Sequence, residues 1–447
     1  MADRYQQLIN TPIGKLVSKQ VGLPSPVSLE RYEPGQPVIS GSVLLGAAPG
    51  GRIKPAIERV LADAGAEMVT GQPAGEQTFK ALVFDASGIA ESEQLREAWA
   101  FFHHAIRRVH QSGRVLVLAT GPEDCSTPRA ATAQRALEGL ARSIGKEVRR
   151  GATAHLLYVG PGAEEDIAST LRFLLSPKSA YVSAQVVRVR EAVASVDGLD
   201  WSKPLEGGVA LVTGAARGIG EAIAEVLARD RAHVVGVDVP ARGAELGEVT
   251  GRLGGSSLTA DITDRDAPAR IATHLLAEHG GVDVVVHNAG VTRDRTLGRM
   301  TEELWSTVIE VNLTAPERIN DELLGRDVIR ENGRICCVSS MSGIAGNAGQ
   351  ANYATSKAGV IGMVKALAPR VAQAKATINA VAPGFIETRM TAAMPIAPRE
   401  AARRMNSLSQ GGLPVDVAET IAWFASPGSG GVNGNVVRVC GQSMIGA

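Results

Sequence analysis

Ser340, Tyr353 and Lys357 have the residue types and spacing of a site that reduces a carbonyl by transfer of a hydride and a proton. Tyr353 and Lys357 are four residues apart, so on a helix they share one face. A free tyrosine has a pKa of about 10, which a nearby ammonium lowers. Ser340 precedes Tyr353 by thirteen residues, and its hydroxyl can bond the same carbonyl oxygen. The alternative is that Tyr353 and Lys357 are ordinary surface residues of a helix. The features upstream argue against this alternative.

A glycine-rich turn lies upstream of these residues. An apolar segment, 208–213, is followed by Gly214, Gly218 and Gly220 and then by an amphipathic pattern. The backbone N–H groups of such a strand–helix turn can bind a pyrophosphate. The spacing is G-x-x-x-G-x-G, which differs from the commoner G-x-G-x-x-G.

Asp238 ends the next apolar segment, eighteen residues after Gly220. A carboxylate at this place accepts hydrogen bonds from the ribose hydroxyls and repels a 2′-phosphate. The alternative is an acidic residue in a turn. We therefore predict NADH as the cofactor, in preference to NADPH, because Asp238 would face the 2′-phosphate without a compensating cation.

From about residue 205 onward, the chain resembles the short-chain dehydrogenase/reductase family. Its segments 346–362 and 382–390 are most similar to 3-oxoacyl-(acyl-carrier-protein) reductases, and the whole chain is similar to their large two-domain actinobacterial form. The resemblance implies Ser340, Tyr353 and Lys357 as catalytic residues, with Asn312 holding a water for proton relay. The chain departs from the family pattern at two positions. His287 stands where an asparagine is usual, and Asp238 favours NADH, whereas many such reductases use NADPH.

The glycine-rich turn and the resemblance together imply a set of cofactor contacts. They are Gly214, Arg217, Gly218, Ile219, Gly220, Asp238, Asp261, Ile262, Asn288, Ala289, Gly290, Tyr353, Lys357, Pro383, Gly384, Ile386 and Thr388. No metal site is expected, because the four cysteines and eight histidines lack metal-ligand spacing.

Composition indicates a large cytoplasmic enzyme. The 447 residues are enough for two or three domains. Lys plus Arg and Asp plus Glu each number 46, so no overall field recruits nucleic acid or an anionic membrane. The polar first residues do not resemble a signal peptide, and no apolar run reaches the roughly 18 residues of a membrane span.

The N-terminal half is interpreted as a degenerate copy of the C-terminal half. Residues 167–189 align without gaps with 417–439, with ten of 23 positions identical, where about one or two are expected by chance. Similar composition of α/β units is the alternative. In this copy Ala130 and Gln134 stand opposite Tyr353 and Lys357, and the segment that would hold Asp238 is missing. We therefore expect the first domain to bind no dinucleotide and to catalyse nothing.

The predicted fold class is α/β, with two doubly wound parallel-sheet, Rossmann-like domains, of which the first is a degenerate, flavodoxin-like copy. We predict four regions. They are an extension (1–40), the degenerate domain (41–190), a linker (191–206) and the catalytic domain (207–447).

Three functions remain open. The first is NADH-dependent reduction of a 3-oxoacyl thioester in lipid metabolism. The second is oxidation of a 3-hydroxyacyl-CoA or a hydroxysteroid, and the third is a non-catalytic, NAD-sensing scaffold. The stretch after Pro383, with Met390, Met394 and Met405, should cover an apolar substrate, although ordinary core methionines are an equal alternative.

Two expectations concern partners. In carrier-protein-dependent relatives arginines lie beside the cleft mouth, whereas the aligned residues here are Glu331 and Ala374, next to Arg330 and Lys375. This favours coenzyme A over acyl carrier protein. Because related reductases are usually tetramers of single domains, we also expect a homodimer in which the first domain replaces one subunit.

Overall fold

The computed structural model describes residue 11 and residues 26–71, 77–196 and 198–443. These residues form two compact units. The first unit comprises the described residues of Met1–Glu191, Phe385–Gly412 and Val439–Met444, and the second comprises those of Ala192–Gly384 and Leu413–Arg438. The second half of the chain therefore contributes two segments to the first unit. Most of the predicted extension 1–40 lies outside the described residues.

The first unit contains a six-stranded sheet in the order β2-β1-β3-β4-β5-β6, with all neighbouring strands parallel. Its strands are β1 (Ser42–Ala47), β2 (Glu67–Thr70), β3 (Phe79–Asp85), β4 (Val109–Ala119), β5 (Thr153–Val159) and β6 (Gln185–Val189). The helices are α1 (Lys54–Asp63), α2 (Leu95–Ala105), α3 (Pro128–Glu147) and α4 (Ala168–Leu175). Every residue of β3 and β5 is buried, as expected where helices cover both faces of a parallel sheet.

The second unit contains a seven-stranded sheet in the order β13-β12-β11-β10-β7-β8-β9. The strands are β7 (Val209–Thr213), β8 (His233–Asp238), β9 (Ser256–Thr259), β10 (Val282–His287), β11 (Ile329–Val338), β12 (Thr377–Pro383) and β13 (Val436–Val439). The helices before β12 are α5 (Gly218–Arg229), α6 (Gly243–Leu253), α7 (Ala267–His279), α8 (Glu302–Ile309), α9 (Ala315–Gly325), α10 (Met341–Ala345) and α11 (Ala351–Gln373). The predicted α/β class with two parallel sheets is confirmed.

After β12 the chain passes into the first unit and then returns. It contributes α12 (Arg389–Ala392) and α13 (Ile396–Arg404) to the first unit, and α14 (Pro414–Ala425) and the edge strand β13 to the second. In the second unit the chain order of β10, β7 and β8 reverses direction beside β7. A crevice at the carboxyl ends of the strands at such a reversal is where open α/β sheets bind ligands.

One buried arginine in each unit occupies the same structural place. Arg114 in β4 and Arg334 in β11 donate from Nε to the carbonyls of Ser176 and Ser426, at 3.2 Å in both units. Each also donates from Nη1 to the carbonyl two residues before it, at 2.8 Å. The two serines coincide in the alignment of 167–189 with 417–439. This equivalence supports the interpretation of the first unit as a copy of the second.

Candidate active site

Ser340 and Tyr353 meet at the carboxyl end of β11. Ser340 caps α10, where its Oγ accepts a hydrogen bond from Ser342 N at 3.1 Å. Tyr353 lies in the first turn of α11, and its hydroxyl forms a hydrogen bond with the Ser340 side chain. The spacing of thirteen residues thus brings together the two hydroxyls that were predicted to share a carbonyl oxygen.

The pKa of Tyr353 is raised. Burial is the largest cause, the hydrogen bond with Ser340 acts in the opposite direction, and the charge of Asp294 adds to the increase. The expectation of a lowered pKa is therefore wrong here, because burial disfavours the phenolate more than the neighbouring groups favour it. The Lys357 ammonium lies 5.7 Å from the centre of the tyrosine ring. At neutral pH the hydroxyl of Tyr353 keeps its proton.

Lys357 is buried one turn after Tyr353, on the shared helix face that the spacing predicted. Its Nζ donates to the carbonyl of Val338 at 2.8 Å, and Ser339 Oγ donates to the carbonyl of Lys357 at 2.7 Å. Burial lowers the pKa of Lys357 to about 8, so the ammonium predominates at pH 7. Sequence reasoning missed Val338 and Ser339, because a backbone carbonyl and a helix-binding hydroxyl have no motif of their own.

Asn312 lies in a π-helical turn, Glu310–Thr314, between α8 and α9. Its Oδ1 accepts from Val291 N at 2.8 Å, and its Nδ2 donates to Val291 O at 3.0 Å and to Ser356 Oγ at 3.1 Å. These bonds fix the amide beside Gly290, whose added Cβ would lie 3.3 Å from Asn312 Oδ1 and 3.4 Å from Lys357 Nζ. A π-turn inside a helix is often found at functional sites.

The glycine-rich turn between β7 and α5 is tightly packed at Gly214 and Gly220, whereas Gly218 faces open space. Gly214 and Gly218 have φ angles of +68° and +65°, which glycine adopts without strain. A Cβ on Gly220 would lie 2.0 Å from Gly214 O and 2.5 Å from Asn288 Nδ2. Asn288 Nδ2 donates to the carbonyls of Thr213 and Gly214 at 2.9 and 3.2 Å. The start of α5 is thereby held open to a ligand's phosphates.

Two carboxylates, Asp238 and Asp261, follow neighbouring strands of the second unit. Asp238 accepts from Ala216 N at 3.1 Å and from Val239 N at 2.9 Å. Asp261 accepts from the backbone and hydroxyl of Thr263, at 2.9 and 2.7 Å. Asp238 is thus oriented by the glycine-rich turn after β7 and by the residue that follows β8, and Asp261 is oriented by the turn after β9.

Arg242 stands beside Asp238, with 4.0 Å between Arg242 Nε and Asp238 Oδ1. The sequence interpretation assumed no compensating cation at this carboxylate, and that assumption is wrong. Arg242 also contacts Glu245 at 3.3 Å. Its charge is therefore shared between two carboxylates.

Three further predicted cofactor residues lie at the ends of the inner strands. Arg217 is exposed and precedes α5, Ile219 is half-buried in the first turn of that helix, and Ala289 N donates to Thr213 Oγ1 at 3.1 Å. Ile262 packs in the hydrophobic core, which leaves only its backbone for a ligand.

The residues after β12 divide between the units. Pro383 ends β12 and Gly384 is the last residue of the second unit before the crossing, whereas Ile386 and Thr388 belong to the first unit. Thr391 Oγ1 donates to Ile386 O at 2.8 Å and accepts from Thr388 N at 2.9 Å.

The corresponding edge of the first unit is filled by protein atoms. Asp85, at the end of β3, accepts at Oδ2 from the N–H groups of Ile53 and Lys54, both at 2.8 Å. These are the amides at the N-terminus of α1, where a phosphate would otherwise bind. Arg52 extends across the strand ends to Glu164 and to the carbonyl of Val159. A carboxylate therefore replaces an anionic ligand at this helix.

His287, which replaces the usual asparagine, is buried at the end of β10. Its Nε2 lies 2.8 Å from Asn320 Oδ1. Burial lowers the pKa of His287 to about 4, so the ring is neutral at pH 7 and donates from Nε2. The substitution is accommodated inside the core by Asn320.

The cations next to the carrier-protein positions are paired with carboxylates. Arg330 Nη1 bonds Asp283 at 2.6 Å, and Lys375 Nζ bonds Glu331 at 2.7 Å. Glu331 lies near the amino end of β11, the edge opposite Ser340. Glu331 therefore does not border the pair of hydroxyls at Ser340 and Tyr353.

The two cysteines of β11 are thiols that burial keeps protonated at neutral pH. Cys336 and Cys337 are buried, and burial raises the pKa of the Cys337 thiol to about 12. Across residues 26–71, 77–196 and 198–443, no group of three or more His, Cys, Asp or Glu is arranged to hold a metal ion. Within the same ranges, the helices are all too short or too polar to cross a bilayer.

Comparisons with known proteins agree with this geometry. Residues 214–441 match the family described as Enoyl-(Acyl carrier protein) reductase. The 3-oxoacyl-(acyl-carrier-protein) reductase FabG of Vibrio cholerae is 44% identical over 237 residues, which are 53% of this chain and 97% of the relative. The Thermotoga maritima protein of the same name is 41% identical over 244 residues (54% and 99%), and the Escherichia coli protein is 40% identical over 238 residues (53% and 97%). Since the family match spans about half of the chain and nearly the whole of each relative is covered, this protein belongs to the short-chain dehydrogenase/reductase family.

Proposed function

We propose that the protein reduces a 3-oxoacyl thioester to the 3-hydroxyacyl thioester with NADH, as part of fatty acid or lipid metabolism. The observation that carries the proposal is the hydrogen bond between the hydroxyls of Ser340 and Tyr353 at the strand edge beside the open glycine-rich turn. It provides two groups for one carbonyl oxygen. The names of the relatives, all 3-oxoacyl-(acyl-carrier-protein) reductases, support the substrate class.

The second unit has the features that a dinucleotide requires. The turn around Gly214 and Gly220 leaves the N-terminus of α5 open for the pyrophosphate, and Asp238 is placed after β8 for the adenosine ribose. Lys357 and Asn312, with Gly290 between them, would border the nicotinamide ribose. When bound, the reduced nicotinamide supplies the hydride.

In the proposed mechanism, Ser340 Oγ donates a hydrogen bond to the substrate's 3-oxo oxygen. Tyr353 gives its proton to that oxygen as negative charge develops there. The Lys357 ammonium stabilises the resulting phenolate, and the Asn312 amide, fixed by Val291, is proposed to hold the water that returns the proton. The strand ends and helix starts hold these groups rigidly, so little reorganisation is needed.

The raised pKa of Tyr353 bears on the pH dependence of the two directions of reaction. A reductase needs the protonated hydroxyl, which is the form that burial favours. A dehydrogenase needs the phenolate as a base and would require a higher pH. The oxidative alternative, with a 3-hydroxyacyl-CoA or a hydroxysteroid as substrate, should therefore be favoured at higher pH than reduction.

Coenzyme A remains the proposed thioester carrier. Arg330 and Lys375 are already paired with carboxylates, so they offer little net positive charge to an acidic carrier protein. A homodimer and a cytoplasmic location complete the proposal, and both stay predictions.

The decisive experiment measures NADH oxidation with 3-oxoacyl-CoA substrates of several chain lengths, beside the matching acyl-carrier-protein thioesters. We expect turnover with the CoA thioesters and its loss in the Tyr353→Phe variant. NADH binding without turnover of any thioester would contradict the proposal and favour the NAD-sensing scaffold. Faster oxidation of the 3-hydroxyacyl-CoA at neutral pH would favour the dehydrogenase.

A further inference from the structure

The segment that precedes Tyr353 is bound to the segment that follows Gly290, and both belong to the second unit. Arg295 N donates to the carbonyl of Gly349 at 2.8 Å, and Arg295 forms a parallel β-bridge with Gln350. The backbone on the N-terminal side of α11 is therefore tied to the loop that follows β10.

Asn352, which is fully buried, strengthens this junction. Its Nδ2 donates to the carbonyls of Arg293 and Leu304, at 3.0 and 2.9 Å, and its Oδ1 accepts from Tyr353 N at 2.8 Å. The first turn of α11, which carries the proposed proton donor, is therefore held in part by the loop after β10.

The side chain of Gln350 extends the junction towards α10. Its Oε1 accepts from Asn347 Nδ2 at 2.8 Å and from Ser342 Oγ at 3.4 Å, and its Nε2 donates to Asp294 Oδ2 at 2.9 Å. An ionised carboxylate only accepts hydrogen bonds, so it pairs with the NH₂ end of an amide. Asp294 therefore determines which way round the Gln350 amide lies, with the amide oxygen towards the two donors.

Ser342 connects this amide to the two hydroxyls of the candidate site. Its Oγ bonds Gln350, and its backbone N–H donates to Ser340 Oγ at 3.1 Å. The Ser340 side chain in turn bonds the hydroxyl of Tyr353. A chain of polar contacts therefore runs from the exposed carboxylate of Asp294 to the proposed proton donor.

The charge of Asp294 does not help Tyr353 to donate its proton. It adds to the increase in the pKa of Tyr353, and a tyrosine that donates its proton must become a phenolate. A carboxylate at this place therefore opposes the reaction electrostatically. What it offers the site is the hydrogen bond to Gln350.

We propose that Asp294 is a positioning residue that acts through the Gln350 amide to hold Ser340 and Tyr353 in register for one carbonyl oxygen. The inference rests on the proposed reduction of a 3-oxoacyl thioester. Asp294 contributes to the geometry of the two hydroxyls and not to the transfer of the proton itself. Its removal should therefore lower kcat and leave NADH binding unchanged.

The test compares two full-length variants, Asp294→Ala and Asp294→Asn, with acetoacetyl-CoA as the substrate. Asp294→Ala removes the acceptor, and we expect kcat to fall about fivefold, the ratio that loss of one hydrogen bond produces. Asp294→Asn keeps an acceptor oxygen and removes the opposing charge, so its kcat should equal or exceed that of the wild type. Kd for NADH should stay within about twofold of wild type in both variants.

A double-mutant cycle tests whether Asp294 acts through Gln350. In a Gln350→Ala background, Asp294→Ala should have no further effect on kcat, because the amide that it orients is absent. Equal losses of kcat in both backgrounds would show that the two residues act independently and would overturn the proposal.

Asp266→Ala is the matched control. Asp266 is also an exposed carboxylate of the second unit, but it directly precedes α7 and lies 3.9 Å from Arg270. Its removal should leave kcat for acetoacetyl-CoA unchanged.

A kcat for Asp294→Ala within about twofold of wild type would overturn the proposal. A kcat for Asp294→Asn as low as that of Asp294→Ala would overturn it too, because the acceptor oxygen would then be irrelevant.

If the wild-type enzyme reduced no thioester, the proposed function would fail instead, and amide hydrogen exchange would decide whether Asp294 holds the site. Exchange in peptides covering 342–353 should be faster in Asp294→Ala than in the wild type and in Asp266→Ala, because the loop before α11 opens more often. An unchanged rate would refute the positioning role. The two failures are therefore distinguishable.

Discussion

Arg242 Nε lies 4.0 Å from Asp238 Oδ1, one turn along the chain from the carboxylate predicted to exclude a 2′-phosphate. Two opposite charges at this distance interact appreciably near a protein surface. Asp238 should still favour NADH, because it accepts the ribose hydroxyls. The arginine reduces the repulsion that NADPH would meet, so the preference depends on both residues.

The first prediction is therefore a pair of opposite effects on cofactor preference. Asp238→Ala should narrow the ratio of kcat/KM for NADH to that for NADPH, by roughly tenfold, whereas Arg242→Ala should widen it. Steady-state kinetics with both cofactors measure the ratio. Arg252→Ala is the control, because Arg252 lies in α6, the helix that begins directly after Arg242, but pairs with Glu221 and Glu225. Equal wild-type kcat/KM for both cofactors would contradict the role of Asp238.

Removal of the tyrosine hydroxyl should abolish proton transfer. Tyr353→Phe should lower kcat by roughly a hundredfold or more, while Kd for NADH, measured by fluorescence, stays nearly unchanged. If a tenth or more of the activity remained, a different group would be the acid.

Loss of the serine hydroxyl should change the pH profile as well as the rate. The hydrogen bond from Ser340 lowers the pKa of Tyr353, so Ser340→Ala should raise it further. Reduction requires the protonated tyrosine and declines as pH rises through that pKa. Lys357 loses its proton near pH 8 and sets the first decline of kcat. The second decline, at the higher pKa of Tyr353, should therefore move to higher pH in Ser340→Ala. A second decline that moves to lower pH would contradict the contact between the two hydroxyls.

Replacement of the buried lysine should stabilise the protein while it inactivates the enzyme. The pKa of Lys357 falls from 10.5 to about 8 in the fold, so burial of its charge destabilises the folded state at pH 7. Lys357→Met should raise the melting temperature at pH 7. Between pH 8 and 10.5 the unfolded chain binds more protons than the folded one, so the wild-type protein gains stability with pH. The difference in melting temperature between Lys357→Met and wild type should shrink over that pH range. Scanning calorimetry measures this difference, and a constant difference would contradict the prediction.

Light scattering should give a dimer of about 93 kDa, twice the 46.6 kDa chain. The fragment 205–447 should be less soluble or should reassociate, because it retains the segment 385–412 without Tyr181, whose hydroxyl donates to Gln410 O at 2.8 Å. A stable, fully active monomer of the whole chain would refute the proposed assembly.

The sequence was sufficient to predict which side chains lie together at the candidate site of the second unit. Fixed spacing along one helix determines the relation of Tyr353 to Lys357, and the strand–turn–helix pattern determines the turn at Gly214. The pKa of Tyr353 was not predictable, because burial depends on the packing of distant segments. The same is true of Arg242, since any of several nearby arginines could have approached Asp238.

The division of the chain between the two units was harder to predict from the sequence. Residues 385–412 lie between two elements of the second unit, and their sequence gives no sign that they fold with the first. The signal that could have revealed it is Tyr181 opposite Gly431, a large aromatic residue in an otherwise worn copy. A single difference between two repeats does not predict how the chain is divided unless the contacts of that residue are known.

The passage of the chain into the first unit and back also constrains how the protein is made. Gly441 is synthesised long after Tyr181, so the bond between them forms late. Until then, the surface around Tyr181 that packs against the later segments is exposed. Strand β13 is the last strand of the second unit, and the segment directly after it joins the first unit. Truncation after residue 384 would remove segments of both units. Both units of the truncated protein would then be incomplete and open to quality-control proteases.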